Sequence, residues 1–138
     1  MLPLIILTGP TTSKKSETAI ELAEKINSEI ISADSMQVYK YFDIGTAKVT
    51  PEDRSRVPHH LVDILEPDQE FSAFDFKTRA LDHTRELLNQ GKVPIITGGS
   101  GLYIKALCEG YDCAVQINPQ IKKQVQSDIL TKGLTKMH

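Results

Sequence analysis

Three short stretches hold most of the reactive side chains in this chain: Gly9-Pro10-Thr11-Thr12-Ser13-Lys14-Lys15-Ser16, Asp34-Ser35-Met36-Gln37 and Gly98-Gly99-Ser100-Gly101. The first runs from a glycine to a Lys-Ser pair. That is the layout of a phosphate-binding loop, as used for nucleotides such as ATP. Backbone N–H groups cradle phosphate oxygens, a lysine (Lys15) brings a point charge to the terminal phosphates, and the next hydroxyl (Ser16) holds Mg2+. Against the pattern G-x-x-x-x-G-K-[ST], Lys14 stands where the second glycine belongs. Its Cβ and stem crowd the approach to phosphate, and its charge offsets part of that loss. Weakened binding is expected, not abolished binding. On the motif alone, an ordinary strand–turn–helix with a chance Lys-Ser pair stands level with a phosphate site.

Asp34 has the chemistry of a general base, because a carboxylate can take a proton from an attacking amine or hydroxyl. A capping or Mg2+-binding aspartate is the equal alternative. Ser100 can donate a hydrogen bond to a leaving oxygen, although turn chemistry is the commoner use of a Gly-Ser-Gly sequence. His59-His60 does not suggest a metal site. Neighbours on a strand point to opposite faces, so one buried and one exposed histidine is expected. Tyr39-Lys40-Tyr41 could stack on a nucleobase, but the spacing is weak evidence. Lys122-Lys123 reads as a solvated helix face.

The elements that must position these groups follow from the apolar pattern. Leu4–Leu7 has no alternation and reads as a parallel strand buried on both faces. Ser13 to Asn27 reads as a helix with Ala19, Ile20, Leu22, Ala23 and Ile26 inward. Glu29–Ala33 is a second strand, and it delivers Asp34 to its carboxyl end. Pro51 opens a short helix capped by Thr50. His59–Ile64 is a third strand. Ser72 caps a helix from Ala73 to Gln90, with Phe76, Ala80, Leu81, Thr84, Leu87 and Leu88 inward and Gly91 as the stop. Val93–Thr97 is a fourth strand, followed by a helix over Leu102–Glu109. After a linker, Pro119 starts a last helix with Ile121, Val125 and Ile129 at four-residue spacing. Strands alternating with helices predict a doubly wound α/β sheet. In a parallel sheet the three reactive stretches meet at one edge, where ligands bind. A phosphate cradle, a carboxylate and a hydroxyl there suit group transfer from a pyrophosphate or nucleotide.

The chain has 138 residues, 40% hydrophobic and 25% charged, as for one ordinary globular domain. A net charge of −2 gives no overall electrostatic footprint for nucleic acid, though a local basic patch remains open. No apolar run is long enough for a membrane span. An apolar strand beginning almost at Met1 leaves no room for a leader peptide, so a cytoplasmic protein is expected. Two cysteines, Cys108 and Cys113, make no disulfide framework or zinc set.

The three stretches, together with Ile30–Tyr39, Asp43-Ile44-Gly45-Thr46-Ala47-Lys48, Val57–Asp63 and the sequence to Tyr103, resemble the tRNA dimethylallyltransferases (tRNA isopentenylpyrophosphate transferases) in order and spacing. The resemblance implies a P-loop NTPase-like parallel sheet with flanking helices, truncated at the start of a helical insertion. The α/β core would occupy residues 1–112 and the tRNA-binding insertion would begin at 113–138. It implies transfer of a dimethylallyl group from dimethylallyl diphosphate to N6 of the adenine beside the tRNA anticodon. Gly9 to Ser16 would hold the diphosphate, with Mg2+ on Ser16. Asp34 would take the N6 proton. Asp34, Ser35, Met36, Gln37, Ser100 (threonine in the family) and Lys122 (arginine in the family) would face tRNA, with Asp34 and Ser100 catalytic. Family members are usually monomeric and about twice this length, so uncovered apolar surface and self-association are expected. The rival readings are a non-catalytic remnant, an adenylate isopentenyltransferase acting on free nucleotide, and a small P-loop kinase.

Overall fold

The computed structural model describes residues 2–10 and 14–110, together with Gln120, Lys123, Gln124, Gln126 and Ser127, which are helical and exposed. The eight elements of the α/β region are β1 (Ile5–Leu7), α1 (Lys15–Ile26), β2 (Ile30–Ser32), α2 (Pro51–Arg56), β3 (His59–His60), α3 (Ala73–Asn89), β4 (Ile95–Thr97) and α4 (Gly101–Cys108). Those five helical residues fall within the expected last helix; its apolar residues Ile121, Val125 and Ile129, the boundary at 112/113 and Cys113 lie outside the described residues.

All the strands are parallel, in the order β1-β4-β2-β3. β4 pairs Ile95 and Ile96 with Ile5 and Ile6 on one side and with Ile30 and Ile31 on the other. Alternation along these strands feeds two apolar layers. Ile30 and Ile95 pack with Ala19, Ile20 and Ala23 of α1 and with Val57. Ile31 and Ile96 pack on the other face with Phe76, Ala80 and Leu87 of α3 and with Tyr103 and Ala106 of α4. The sheet is thus covered by helices on both faces, as the strand–helix alternation predicts.

Local chemistry sets the helix ends. Thr50 Oγ1 accepts the Asp53 N–H at 3.1 Å ahead of Pro51 at the first helical position. Ser72 and Asp75 form a reciprocal capping box at the start of α3, with Oγ accepting from Asp75 N at 3.1 Å and the Asp75 carboxylate accepting from Ser72 N at 2.8 Å. Gly91, at φ 74°, follows α3 in the left-handed region.

Four expectations need correction. β1 is only half-buried, because it lies at the end of the strand order and has one neighbour among the described strands. Ile26 is 40% exposed. A twelve-residue helix is about 18 Å long and a three-residue strand about 10 Å, so the last turn of α1 overhangs the sheet. β3 stops after His60, because Leu61 (φ 62°) and Asp63 (φ 55°) take left-handed backbone and end the strand. His59 and His60 are both half-buried. The His59 ring hydrogen-bonds the Val57 carbonyl through Nδ1 at 2.7 Å, and His60 meets Glu29 at 2.7 Å and packs on the His83 ring, so neither imidazole is left to solvent.

Candidate active site

The carboxyl ends of β1, β2 and β4 lie on one rim because the strands are parallel. A cleft there is lined by Lys15 and Ser16 at the start of α1, by Ser32, Asp34 and Gln37 at the end of β2, and by Thr97, Gly98 and Gly99 at the end of β4. Ile30 and His59 line it deeper in the sheet, and Thr46, Ala47 and Val49 form one wall. The sequence reading missed Ser32 and Thr97. Their signal is a hydroxyl residue ending an otherwise apolar strand, and both are buried.

The phosphate-loop residues Gly9, Pro10, Lys14, Lys15 and Ser16 are described; Thr11, Thr12 and Ser13 lie outside the described residues. Lys15 Nζ donates to the Pro10 carbonyl at 2.6 Å. Lys14 is the residue just before α1 and has φ 50° and ψ 23°. This left-handed geometry is a second reason for the glycine of the pattern, beside the steric one given above. In a residue with a Cβ it costs about 1–2 kcal/mol. The lysine takes up the turn all the same. A second depression next to the loop is lined by Lys14, Lys15, Ser16, Glu17, Ile20, Asp53 and Arg56. Arg56 is already engaged there, donating two hydrogen bonds of 2.9 Å to Glu24.

Asp34 is half-buried at the end of β2. Its Oδ1 accepts the backbone N–H of Met36 at 2.8 Å and of Gln37 at 3.2 Å. Among the described residues Oδ2 has no partner. The carboxylate therefore caps its own turn with one oxygen and leaves the other unengaged. Met36 is 47% exposed beside it. Ser100 Oγ accepts the N–H of Ser35 at 2.9 Å, so the hydroxyl joins the two strand ends and its own proton stays available for donation. Close backbone approach makes this possible. A Cβ on Gly98 would fall 2.2 Å from the Ala33 carbonyl oxygen. Ser100 N donates to that oxygen at 3.1 Å, and Ala33 N donates to the Thr97 carbonyl at 2.7 Å.

Behind the rim, Tyr103 stacks on Phe76 with ring centroids 4.5 Å apart, and burial pushes its phenol up to about 12. Of the Tyr39-Lys40-Tyr41 run, Tyr39 packs edge-on against Phe42 and Lys40 is paired with Glu66. Tyr41 is 74% exposed. Lys122 lies outside the described residues. Among the described residues no group of three or more His, Cys, Asp or Glu side chains could hold a metal ion. No helix among them is long and apolar enough to cross a membrane.

Comparison with known proteins bears on the family and the fold. The family model described as IPP transferase matches residues 37–138. The tRNA dimethylallyltransferases of Staphylococcus aureus strains JH9 and Newman are 58% identical over 109 residues, which is 79% of this chain and 35% of theirs. The chain thus spans about a third of the length of the curated relatives it matches. Among solved structures, the tRNA isopentenylpyrophosphate transferase of Bacillus halodurans superposes with a TM-score of 0.79 at 36% identity, covering 100% of this chain and 46% of that one. The tRNA delta(2)-isopentenylpyrophosphate transferase of Staphylococcus epidermidis gives 0.74 at 51% identity, covering 92% and 41%. A eukaryotic dimethylallyltransferase acting on tRNA gives 0.72 at 28% identity, covering 88% and 34%.

Proposed function

Because the chain belongs to the IPP transferase family, we propose that its cleft serves the transfer of a dimethylallyl group from dimethylallyl diphosphate to N6 of an adenine beside a tRNA anticodon. The observation that carries this reading is the meeting, in one cleft, of a phosphate-loop lysine and hydroxyl (Lys15, Ser16) with a carboxylate that keeps a free oxygen (Asp34).

The donor half is the phosphate loop. Lys15 exchanges the Pro10 carbonyl for the diphosphate, and the first N–H groups of α1 face the same anion. The donor set suits Mg2+. The Ser16 hydroxyl lines the cleft beside Lys15, and Mg2+ takes few protein ligands beside phosphate and water. When bound there, the ion neutralises charge on the leaving diphosphate. The acceptor half is Asp34 to Gln37 with Ser100. The adenine N6 forms a bond to C1 of the dimethylallyl group as the C1–O bond to diphosphate breaks. The bonding electrons leave with the diphosphate, and Asp34 Oδ2 takes the N6 proton. Ser100 can donate its hydroxyl proton while its oxygen holds Ser35 in place.

The test is incubation of the 138-residue chain with Mg2+, dimethylallyl diphosphate and an anticodon stem-loop RNA, read by mass spectrometry of the RNA. Prenylated adenine with the parent chain and none with Asp34→Asn is expected. Prenylation of free adenosine monophosphate in place of RNA would identify the nucleotide enzyme instead. No product on either acceptor would favour the non-catalytic reading.

A further inference from the structure

Lys48 sits between Ala47 and Val49, which line the cleft, but is not itself a lining residue, and its side chain is only 5% exposed. Its ammonium has three N–H donors, and all are used: Asp43 Oδ1 at 2.7 Å, Asp63 Oδ1 at 2.6 Å and the Tyr39 carbonyl at 2.8 Å. Burial opposes the charge, but the hydrogen bonds to Asp43 and Asp63 outweigh it and hold the lysine pKa above its ordinary value. Asp63 uses its second oxygen for Arg54, at 2.8 Å.

These groups bear on the cleft along two routes. The Asp63 backbone N–H donates to the Gln37 carbonyl at 3.0 Å, and Gln37 N–H donates to Asp34 Oδ1. In addition, the Gln37 side-chain amide donates to the carbonyls of Ala47 (3.1 Å) and Thr46 (3.4 Å), the two residues just before Lys48. The segments that meet here are costly to hold. Tyr41, Ala47, Leu61 and Asp63 all have left-handed backbone without being glycine. Each such residue costs on the order of 1 kcal/mol. A saturated ammonium at their junction supplies the directional bonds that keep them there.

We infer that Lys48, clamped by Asp63, is the positioning residue of the acceptor segment, fixing Gln37 and through it the turn that presents Asp34. This rests on the reading of Asp34–Gln37 as the acceptor side. The ion network touches no reacting atom and acts only through Gln37. One further consequence concerns the Gln37 amide. Its nitrogen is committed to two loop carbonyls, so the group it has left for a ligand is an acceptor oxygen, which suits the N–H of an exocyclic amine.

Backbone hydrogen exchange by NMR on the 138-residue chain tests the inference, with Lys48→Met beside Lys40→Met, which removes a lysine whose side chain is hydrogen-bonded to Glu66 and not to Asp63. The expected result with Lys48→Met is a loss of protection of at least about tenfold at Met36, Gln37 and Asp63, with Ile31 and Ile96 unchanged. Lys40→Met should leave all five unchanged. Should Lys48→Met not fold, Asp63→Asn takes its place, because asparagine keeps the left-handed backbone and removes the charge. Unchanged exchange at the three amides overturns the inference, and so does a uniform loss that includes the sheet. A second arm measures binding of the anticodon stem-loop RNA and of dimethylallyl diphosphate. Weaker RNA binding with donor affinity unchanged is expected, and equal loss of both overturns the acceptor assignment. If the parent chain binds no RNA but shows the selective exchange pattern, the failure belongs to the proposed function and the positioning role stands.

Discussion

The Oγ of Ser100 accepts the backbone N–H of Ser35 at 2.9 Å, 65 residues away in sequence. One hydroxyl thus holds the ends of β2 and β4 together at the rim of the cleft. In Ser100→Ala the Ser35 N–H loses this partner, at a cost of about 1 kcal/mol. Denaturant unfolding should show that modest loss, and RNA prenylation should fall by more than the stability change explains. Ser100→Thr, which keeps the hydroxyl, should restore both.

Gly98 and Gly99 are adjacent but should respond differently to alanine. A Cβ at Gly98 meets the Ala33 carbonyl oxygen at 2.2 Å and its carbon at 2.3 Å, and both are backbone atoms of a buried strand end. A Cβ at Gly99 meets nothing within 4 Å. Urea unfolding should show Gly98→Ala destabilised by at least ~2 kcal/mol and Gly99→Ala within about 0.5 kcal/mol of the parent.

Lys14→Gly should raise stability. The left-handed backbone at Lys14 costs about 1–2 kcal/mol, and the extra freedom of glycine in the unfolded chain returns part of that. A net gain of roughly 0.5–1 kcal/mol is expected in urea unfolding. Lys14→Val should lose stability, since a β-branched residue tolerates this region least.

Stability should fall on mild acidification. Burial lowers the pKa of His59 and of His83 below the ordinary value of 6.5, with the nearby His60 adding to the effect at His83. The unfolded chain then binds protons at a pH where the folded chain does not. The contribution of these groups is present above pH 6.5 and is lost as pH falls through the depressed folded values. Unfolding measured from pH 7.5 downward should show this slope, and His83→Phe should flatten part of it.

The helix ends were legible in the sequence because their chemistry is local. Thr50-Pro51, Ser72 with Asp75, and Gly91 each act within four residues. The position of Asp34 on the phosphate-loop rim was also legible, since parallel strands bring their carboxyl ends together. The length of β3 was not. His59–Ile64 has a strand composition, but Asp63 is drawn by Lys48 and Arg54, and its left-handed turn answers to those distant partners. Lys48 itself reads in sequence as one residue of a family block. Its role depends on contacts 9 and 15 residues away.

The proposed division of the cleft into a donor half at Lys15 and Ser16 and an acceptor half at Asp34 is most directly tested by thermal unfolding with Mg2+ and dimethylallyl diphosphate, on the parent chain, Lys15→Ala and Asp34→Asn. A ligand at about a hundred times its dissociation constant stabilises the folded state by about 2.7 kcal/mol, a rise in melting temperature of roughly 10 °C for a chain of this size. That rise is expected for the parent and for Asp34→Asn, and its loss in Lys15→Ala. A parent chain that does not shift, or a Lys15→Ala chain that shifts as far as the parent, would contradict the proposed division.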